Sequence, residues 1–231
     1  MSFTLGVNML VVGVDGCKKG WVAIVTKGGK YHEARVFSEF RELTDAYRNA
    51  KVIAVDIPIG LPKQSHREAD LTARELLGKR RPSLFLTPPR SVLAVPTYPE
   101  ARKVAQKMGW TVTAQAHGLH KKILEVESFA ARDKRIFEAH PELSFRAMAG
   151  SPLQWSKKTW NGFHERVHLL EKVGIVIPDT LAEAGSKAGP DDVLDAAAAA
   201  WTAGRLARKK GKSTPETPTQ KWKGRPIAIW Y

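Results

Sequence analysis

The stretch that decides the fold is Met9-Leu10-Val11-Val12-Gly13-Val14-Asp15-Gly16. Its short apolar run is rich in β-branched residues, which predicts a strand buried on both faces. Asp15 follows this run directly, so a carboxylate lies at the tip of the predicted strand, where ligands commonly bind in such sheets. Asp15-Gly16 is also typical of a simple turn. This stretch alone leaves both interpretations open.

The composition indicates one large domain with a basic surface. The chain has 231 residues, of which 43% are hydrophobic, enough for a sizeable core. Lys and Arg number 37 against 23 Asp and Glu, a net charge of +14. This excess favours a polyanion such as DNA or RNA as partner, although a basic surface kept for solubility has the same composition.

Cysteine content and hydropathy limit the class of protein further. The single cysteine excludes an internal disulfide and a cysteine metal cluster, which fits a reducing compartment. The first residues lack a charged segment followed by a long apolar one, and no run of about 18 apolar residues occurs. We therefore expect a cytoplasmic protein with no signal peptide and no membrane span.

The hydrophobic pattern predicts an α/β fold. Strands over residues 21–25 and 31–37 follow the first one after glycine-containing turns, which predicts an antiparallel three-strand meander. A helix over about residues 39–50 then returns the chain, so that a strand over residues 51–56 can lie parallel to the first. We expect a mixed sheet with flanking helices, in a single domain over residues 1–231.

Helices dominate the middle of the chain, where we expect a mainly helical insertion over about residues 63–133. A short strand is predicted over residues 134–138, and His140-Pro141-Glu142 is expected to turn the chain. Residues 210–224 are polar and rich in Pro and Lys, which predicts a mobile segment. Residues 225–231 are expected to return as one edge strand.

Carboxylates recur at the ends of predicted strands and on the last long helix. Asp15 and Asp56 emerge at the same end of the sheet if their strands are parallel neighbours. Asp192 and Asp195 are three positions apart on an Ala-rich helix, so they share a face, although aspartate near a helix start also complements the helix dipole. Glu138 ends another predicted strand and is either a further ligand or an ion-pair partner.

Converging carboxylates repel one another unless a cation neutralises them. Hard oxygen ligands select Mg²⁺ or Mn²⁺. Two such ions, about 3.5–4 Å apart, can clamp the attacking and leaving oxygens of a phosphodiester. The acids therefore predict a metal site suited to phosphodiester hydrolysis.

Basic residues near the acids are candidates for contacts with phosphate. Lys18 and Lys19 follow Asp15 closely in the chain. Arg67 and Arg74 are seven positions apart on one face of a predicted helix, where they form either a phosphate clamp or part of an ion-pair ladder.

One competing motif matches a zinc-hydrolase pattern. His164-Glu165-Arg166-Val167-His168 spells H-E-x-x-H on a predicted amphipathic helix. Apolar residues compete for the buried face of this helix and no third ligand is evident, so we favour a solvated helix over a zinc site. Arg166, with Lys157 and Lys158, is then available to a polyanion.

Five blocks together resemble a known family. They are Gly13-Val14-Asp15-Gly16-Cys17-Lys18-Lys19-Gly20-Trp21, Asp56-Ile57-Pro58-Ile59-Gly60-Leu61-Pro62, Arg67 with Asp70 and Arg74, Glu138-Ala139-His140-Pro141-Glu142, and Asp191-Asp192-Val193-Leu194-Asp195-Ala196. They resemble domain-of-unknown-function family 429, described as predicted nucleases of RNase H fold. The resemblance covers nearly the whole chain and implies an RNase H-like sheet with Asp15 and Asp56 as strand acids. The Asp192/Asp195 pair is similar to the acidic pair on the last helix of Holliday-junction resolvases. Lys19 departs from the family pattern, where glycine is expected.

The residues and the resemblance together favour a metal-dependent nuclease that uses two-metal-ion hydrolysis. Asp15, Asp56, Asp192 and Asp195 are the expected ligands of Mg²⁺ or Mn²⁺, and DNA or RNA is the expected partner. Two alternatives stay open. Actin-like ATP-dependent phosphotransferases share the fold superfamily, although 231 residues is short for their duplicated domain. A nucleic-acid-binding module with a degenerate site would bind without turnover.

Overall fold

The computed structural model describes residues 9–231 and shows an α/β fold built on a five-stranded mixed sheet. The strands are β1 (Leu10–Cys17), β2 (Gly20–Lys27), β3 (Lys30–Phe37), β4 (Ile53–Val55) and β5 (Ile136–Glu138). Their order is β3-β2-β1-β4-β5, with β1, β2 and β3 antiparallel and β4 parallel to both β1 and β5. The predicted meander and the predicted parallel return are confirmed.

Ten α-helices lie within residues 9–231. They are α1 (Phe40–Ala46), α2 (Glu68–Leu77), α3 (Arg90–Leu93), α4 (Tyr98–Lys107), α5 (Ala114–Gly118), α6 (His120–Ala130), α7 (Pro141–Ala149), α8 (Trp160–Lys172), α9 (Ala182–Lys187) and α10 (Pro190–Ala207). A 3₁₀ helix covers Gly78–Ser83. Alternate strand residues face two hydrophobic clusters, with α1 and α6 on one face of the sheet and α8 and α10 on the other. In the part of the chain described, no helix is both long and apolar enough to span a bilayer.

The close packing of α10 on β1 depends on small residues. Ala196 and Ala200 belong to a buried run of alanines on the sheet-facing side of α10. A Cβ atom at Gly13 of β1 would collide with the backbone of both. Glycine is therefore required at this position, and the close approach carries Asp195 towards the end of β1.

Two segments differ from the sequence-based expectation. The stretch that begins at His140 forms α7 rather than a turn, with Pro141 at the first helical position, where a missing N–H costs nothing. The C-terminal residues form two short strands rather than one edge strand: β8 (Arg225–Pro226) pairs with β7 (Lys221–Trp222), and β9 (Ile229–Trp230) pairs with β6 (Ser213–Thr214). β6 and β7 fall within the segment predicted to be mobile.

Candidate metal centre

Three carboxylates converge beside the end of the parallel strands. The pairing of β1 with β4 ends at Val14↔Val55, and Asp15 and Asp56 are the next residues, although β1 itself continues against β2. The backbone N–H of Asp56 donates to the Val14 carbonyl at 3.0 Å, which fixes the two acids in register. Asp195 reaches the same place from the second turn of α10.

The three side chains are close enough to share one cation. One carboxylate oxygen from each of Asp15, Asp56 and Asp195 lies within 4.8 Å of the others, and the side chains are partly or fully buried. Burial raises the pKa of all three carboxyls, to about 8 for Asp56 and about 6 for Asp195. Repulsion among the carboxylates contributes to the raised pKa of Asp15 and Asp56. A like-charged, all-oxygen donor set suits a hard divalent cation, so these residues fit a metal ion.

Lys157 brings a positive charge to the triad. Its ammonium contacts the Asp195 carboxylate and lies 3.8 Å from that of Asp191. Burial alone would lower the pKa of Lys157, but the carboxylates of Asp195, Asp15 and Asp56 raise it overall, so the ammonium stays charged. One ammonium can offset one carboxylate, so full ionisation of the other two would require a further cation.

The triad opens into a cavity of about 440 Å³, which we call the acidic cleft. Its charged lining consists of Asp15, Asp56, Glu138, Lys157, Asp192 and Asp195, together with Asp70. Among the residues that the structure describes, Asp192 does not belong to the group of acids whose carboxylate oxygens lie within 4.8 Å of one another. Instead, Asp192 accepts a hydrogen bond from the Gly189 N–H at 3.1 Å and so caps α10. Burial raises the pKa of Asp192, although the hydrogen bond from Gly189 opposes this shift.

Glu138 lines the cleft but is held in a buried network. Its carboxylate accepts two hydrogen bonds from Arg67 Nη2, at 2.7 and 2.8 Å, and one from the Ile59 N–H at 2.7 Å. Burial raises the pKa of Glu138 to about 7, although the Arg67 guanidinium acts in the opposite direction. Because Ile59 lies in the loop after Asp56, Glu138 helps to fix the course of the chain that carries this acid.

The structure corrects the expectation that Arg67 and Arg166 meet substrate phosphates. The Arg67 side chain is 0% exposed and pairs with Glu138 and, at 3.4 Å, with Asp70. The Arg166 side chain is 1% exposed and pairs with Glu142 at 2.5 Å. Buried guanidinium groups that are paired in this way are not available to a surface phosphate, so both residues position their neighbours.

The remaining basic candidates lie outside the cleft. Lys18 and Lys19 are exposed in the turn between β1 and β2, and Arg74 is half-buried on α2. None of the three contributes to the lining of the acidic cleft. Their contacts with phosphate stay predictions.

The H-E-x-x-H motif does not form a metal cluster among residues 9–231. The His164 and His168 ring centroids are 6.4 Å apart on α8. His168 Nδ1 lies 3.1 Å from a Glu171 carboxylate oxygen, and the His164 ring packs against Trp160 with centroids 4.1 Å apart. The motif therefore belongs to an amphipathic helix, as we favoured from its apolar neighbours.

Sequence reasoning missed the place of Lys157 and His140 in the cleft. Lys157 was assigned to a polyanion with no link to Asp195, which lies 38 residues away in the chain. His140 was expected only to turn the chain, yet it lines the cleft, and burial lowers its pKa to about 4, so it is neutral at pH 7. For His140 a signal was present, because it follows Glu138 by two residues where a strand leaves the sheet.

Comparison with known proteins identifies a family but no activity. A family model described as "Protein of unknown function (DUF429)" matches residues 13–220, which include every acid of the cleft. No curated protein and no solved structure matches the chain.

Proposed function

The chain belongs to the DUF429 family, and from its acidic cleft we propose that it is a metal-dependent nuclease with an RNase H-like fold. The convergence of Asp15, Asp56 and Asp195 from three separate elements carries this proposal. Three buried or half-buried carboxylates destabilise a fold unless a cation or a function compensates for their repulsion. The strand order β3-β2-β1-β4-β5, a meander followed by parallel strands, supports the RNase H-like topology that the family resemblance implies.

Each charged residue of the cleft has a distinct part in this proposal. Asp15, Asp56 and Asp195 would hold Mg²⁺ or Mn²⁺, and Asp192 is the candidate ligand for a second ion. When bound, such ions supply an activated water and stabilise the leaving oxygen of a phosphodiester. Lys157 provides a cationic donor inside the cleft that can bind a phosphate oxygen.

Two other residues belong to the walls of the cleft. Glu138, held by Arg67, fixes the loop after β4 and so orients Asp56 without itself binding substrate. His140 lines the cleft as a neutral imidazole, which adds no charge to the site. The chain therefore positions its acids through a buried network rather than through flexible surface side chains.

The overall charge supports nucleic acid as the substrate. A net charge of +14 attracts a polyanion over long range, whereas the cleft itself concentrates negative charge. The actin-like alternative has less support, because residues 9–231 contain one five-stranded sheet rather than two copies of a domain.

Cleavage assays on the purified chain test the proposal. Labelled single- and double-stranded DNA and RNA are incubated with Mn²⁺, with Mg²⁺ or with EDTA, using the wild type, Asp15→Asn and the exposed-surface control Asp179→Asn. We expect metal-dependent cleavage that Asp15→Asn loses and Asp179→Asn keeps. Equal cleavage by the wild type and Asp15→Asn would reject the site, and salt-sensitive binding without cleavage would favour a binding module.

A further inference from the structure

Two tryptophans flank the lysines that reach the acidic cleft. The segment Trp155-Ser156-Lys157-Lys158-Thr159-Trp160, which we call the Trp–Lys loop, precedes and begins α8. Trp155 is 41% exposed and Trp160 is 77% exposed, although tryptophan is usually well buried. Within residues 9–231, these are two of the four large hydrophobic side chains that are exposed to this degree.

The loop is continuous with the candidate site. The Lys157 ammonium contacts Asp195 inside the acidic cleft, and the Lys158 ammonium contacts Asp191, the residue before Asp192 on α10. The Lys158 side chain is 71% exposed, so its ion pair is weak and the ammonium can exchange Asp191 for another anion. A chain that lies across the Trp–Lys loop therefore passes beside Lys157, whose ammonium contacts Asp195 of the triad.

The loop is also held in one conformation. Buried Arg166 donates hydrogen bonds to the carbonyls of Trp155, at 3.3 Å, and Gly162, at 2.7 Å. The Thr159 N–H and hydroxyl both donate to the Ser156 carbonyl, at 2.9 and 2.8 Å. A Cβ atom at Gly162 would collide with that same carbonyl, so the loop packs directly on α8. A fixed loop loses little conformational entropy when a ligand binds.

We propose that the Trp–Lys loop is a docking surface for single-stranded nucleic acid, on which Trp160 stacks an unpaired base while Lys158 binds the adjacent phosphate. Exposed aromatic rings interleaved with cations are the combination that binds single strands, because every unpaired base offers a face for stacking. One side of the Trp160 ring already packs on His164, with centroids 4.1 Å apart, which holds the indole in place. In a duplex the base faces are covered, so this surface selects single strands or unpaired ends. The inference rests on the proposed nuclease function, because it names the substrate form that reaches the acidic cleft.

Binding measurements without metal test this docking surface apart from catalysis. The full chain is titrated in EDTA against a fluorescently labelled 20-nucleotide single strand and the matching duplex, as DNA and as RNA, with anisotropy as the readout. We expect Trp160→Ala to weaken single-strand binding by about 5- to 150-fold, the cost of losing one stacked base. Trp160→Phe, which keeps a ring, and Leu71→Ala, an exposed apolar residue on α2, should stay within about threefold of the wild type. Duplex binding should change by less than about threefold in Trp160→Ala.

The outcomes separate this inference from the proposed nuclease. Single-strand binding by Trp160→Ala that equals the wild type overturns the docking surface, and so does an equal loss of single-strand and duplex binding. Absence of single-strand binding by the wild type also overturns it and points instead to a protein partner for the exposed indoles. If the wild type binds single strands through Trp160 but never cleaves with Mn²⁺, the docking surface stands and the nuclease proposal fails.

Discussion

Replacing Asp56 with asparagine is expected to stabilise the metal-free protein and to remove most of its response to divalent cations. Asp56 supplies one of three carboxylates whose oxygens lie within 4.8 Å of one another. Asparagine has nearly the same shape, so the substitution removes a charge without leaving a cavity. The energetic consequence is therefore dominated by the cost of burying this charge, to which repulsion by the neighbouring carboxylates adds.

The size of the effect follows from Coulomb's law. Two unit charges 4.8 Å apart repel by about 3.5 kcal/mol at an effective dielectric constant of about 20. Burial adds to this repulsion, and the two together raise the pKa of Asp56 to about 8, so at pH 7 the carboxyl is mostly protonated. We expect the free energy of unfolding of Asp56→Asn to exceed that of the wild type by about 4–5 kcal/mol at pH 8, since each unit of pKa shift is worth about 1.4 kcal/mol. For a chain of 231 residues this is a rise in Tm of about 8–20 °C.

The stabilisation by Asp56→Asn should increase as the pH rises. A carboxyl whose folded-state pKa is raised is charged in the unfolded chain before it is charged in the folded one. Its ionisation therefore opposes folding increasingly as the pH rises from about 4 towards 8. The stabilisation by Asp56→Asn should shrink as the pH falls towards 4, where the carboxyl is neutral in both states.

Thermal unfolding followed by circular dichroism measures both effects. In EDTA the variant should unfold at the higher temperature. Mn²⁺ at a hundred times the Kd of the wild type should raise the free energy of unfolding of the wild type by about 2.7 kcal/mol. The variant keeps two of the three ligands, so its free energy of unfolding should rise much less. Adding Mn²⁺ should therefore reduce the difference between the Tm of the variant and that of the wild type, or reverse its sign.

The exposed residue Asp179 provides the matched control. Asp179→Asn makes the same change in charge away from the cleft, so we expect its stability to stay within about 0.5 kcal/mol of the wild type. A lower Tm for Asp56→Asn than for the wild type in EDTA would refute the repulsion argument. Full retention of the Mn²⁺ response by Asp56→Asn would refute its place in the metal site.

Three further substitutions test the supporting structure. Gly13→Ala should lower the free energy of unfolding in urea by about 3 kcal/mol or more, because its Cβ atom collides with the backbone of Ala200, and wild-type stability would contradict this close approach. Arg67→Met should lower the free energy of unfolding by about 3–5 kcal/mol, because it leaves the buried Glu138 carboxylate without its guanidinium partner. Adding Glu138→Met should recover part of that loss. A double variant no more stable than Arg67→Met would argue against the pairing. Burial lowers the folded-state pKa of His140 to about 4, so the unfolded chain takes up a proton first and the wild type loses stability as the pH falls from 6.5 to 4. His140→Gln should make this loss of stability smaller. Parallel stability curves for the wild type and His140→Gln across this range would remove His140 as the cause.

The parts of the molecule that follow from local pattern could be predicted from the sequence. The meander and the parallel return depend on short apolar runs, turns and one connecting helix, all of which are visible in order along the chain. Asp15 and Asp56 could be paired because parallel neighbours end at the same edge of a sheet. Asp195 could be placed because the alanines after it identify the face of α10 that packs on the sheet.

The assignments that failed depend on contacts between distant residues. An arginine on a predicted helix has the same sequence signature whether it meets a phosphate in solvent or a buried carboxylate. Arg67 meets Glu138, 71 residues further along the chain, and Arg166 meets Glu142, 24 residues earlier. The helix α7 was missed for a different reason, because Pro141 was taken as a turn residue although proline is also favoured at the first position of a helix.

In the proposed nuclease, the distribution of charge would separate substrate capture from chemistry. The chain carries a net charge of +14, yet six carboxyl groups and one ammonium line its acidic cleft, so an approaching phosphate is attracted from a distance and repelled at the last step. A divalent cation held by Asp15, Asp56 and Asp195 would reverse that local repulsion. Nucleic acid is therefore expected to bind the basic surface, including the Trp–Lys loop, in EDTA, and to enter the acidic cleft only when the metal is present. If the proposed function holds, we expect binding and cleavage to respond to different substitutions, binding to those at Trp160 and cleavage to those at Asp56.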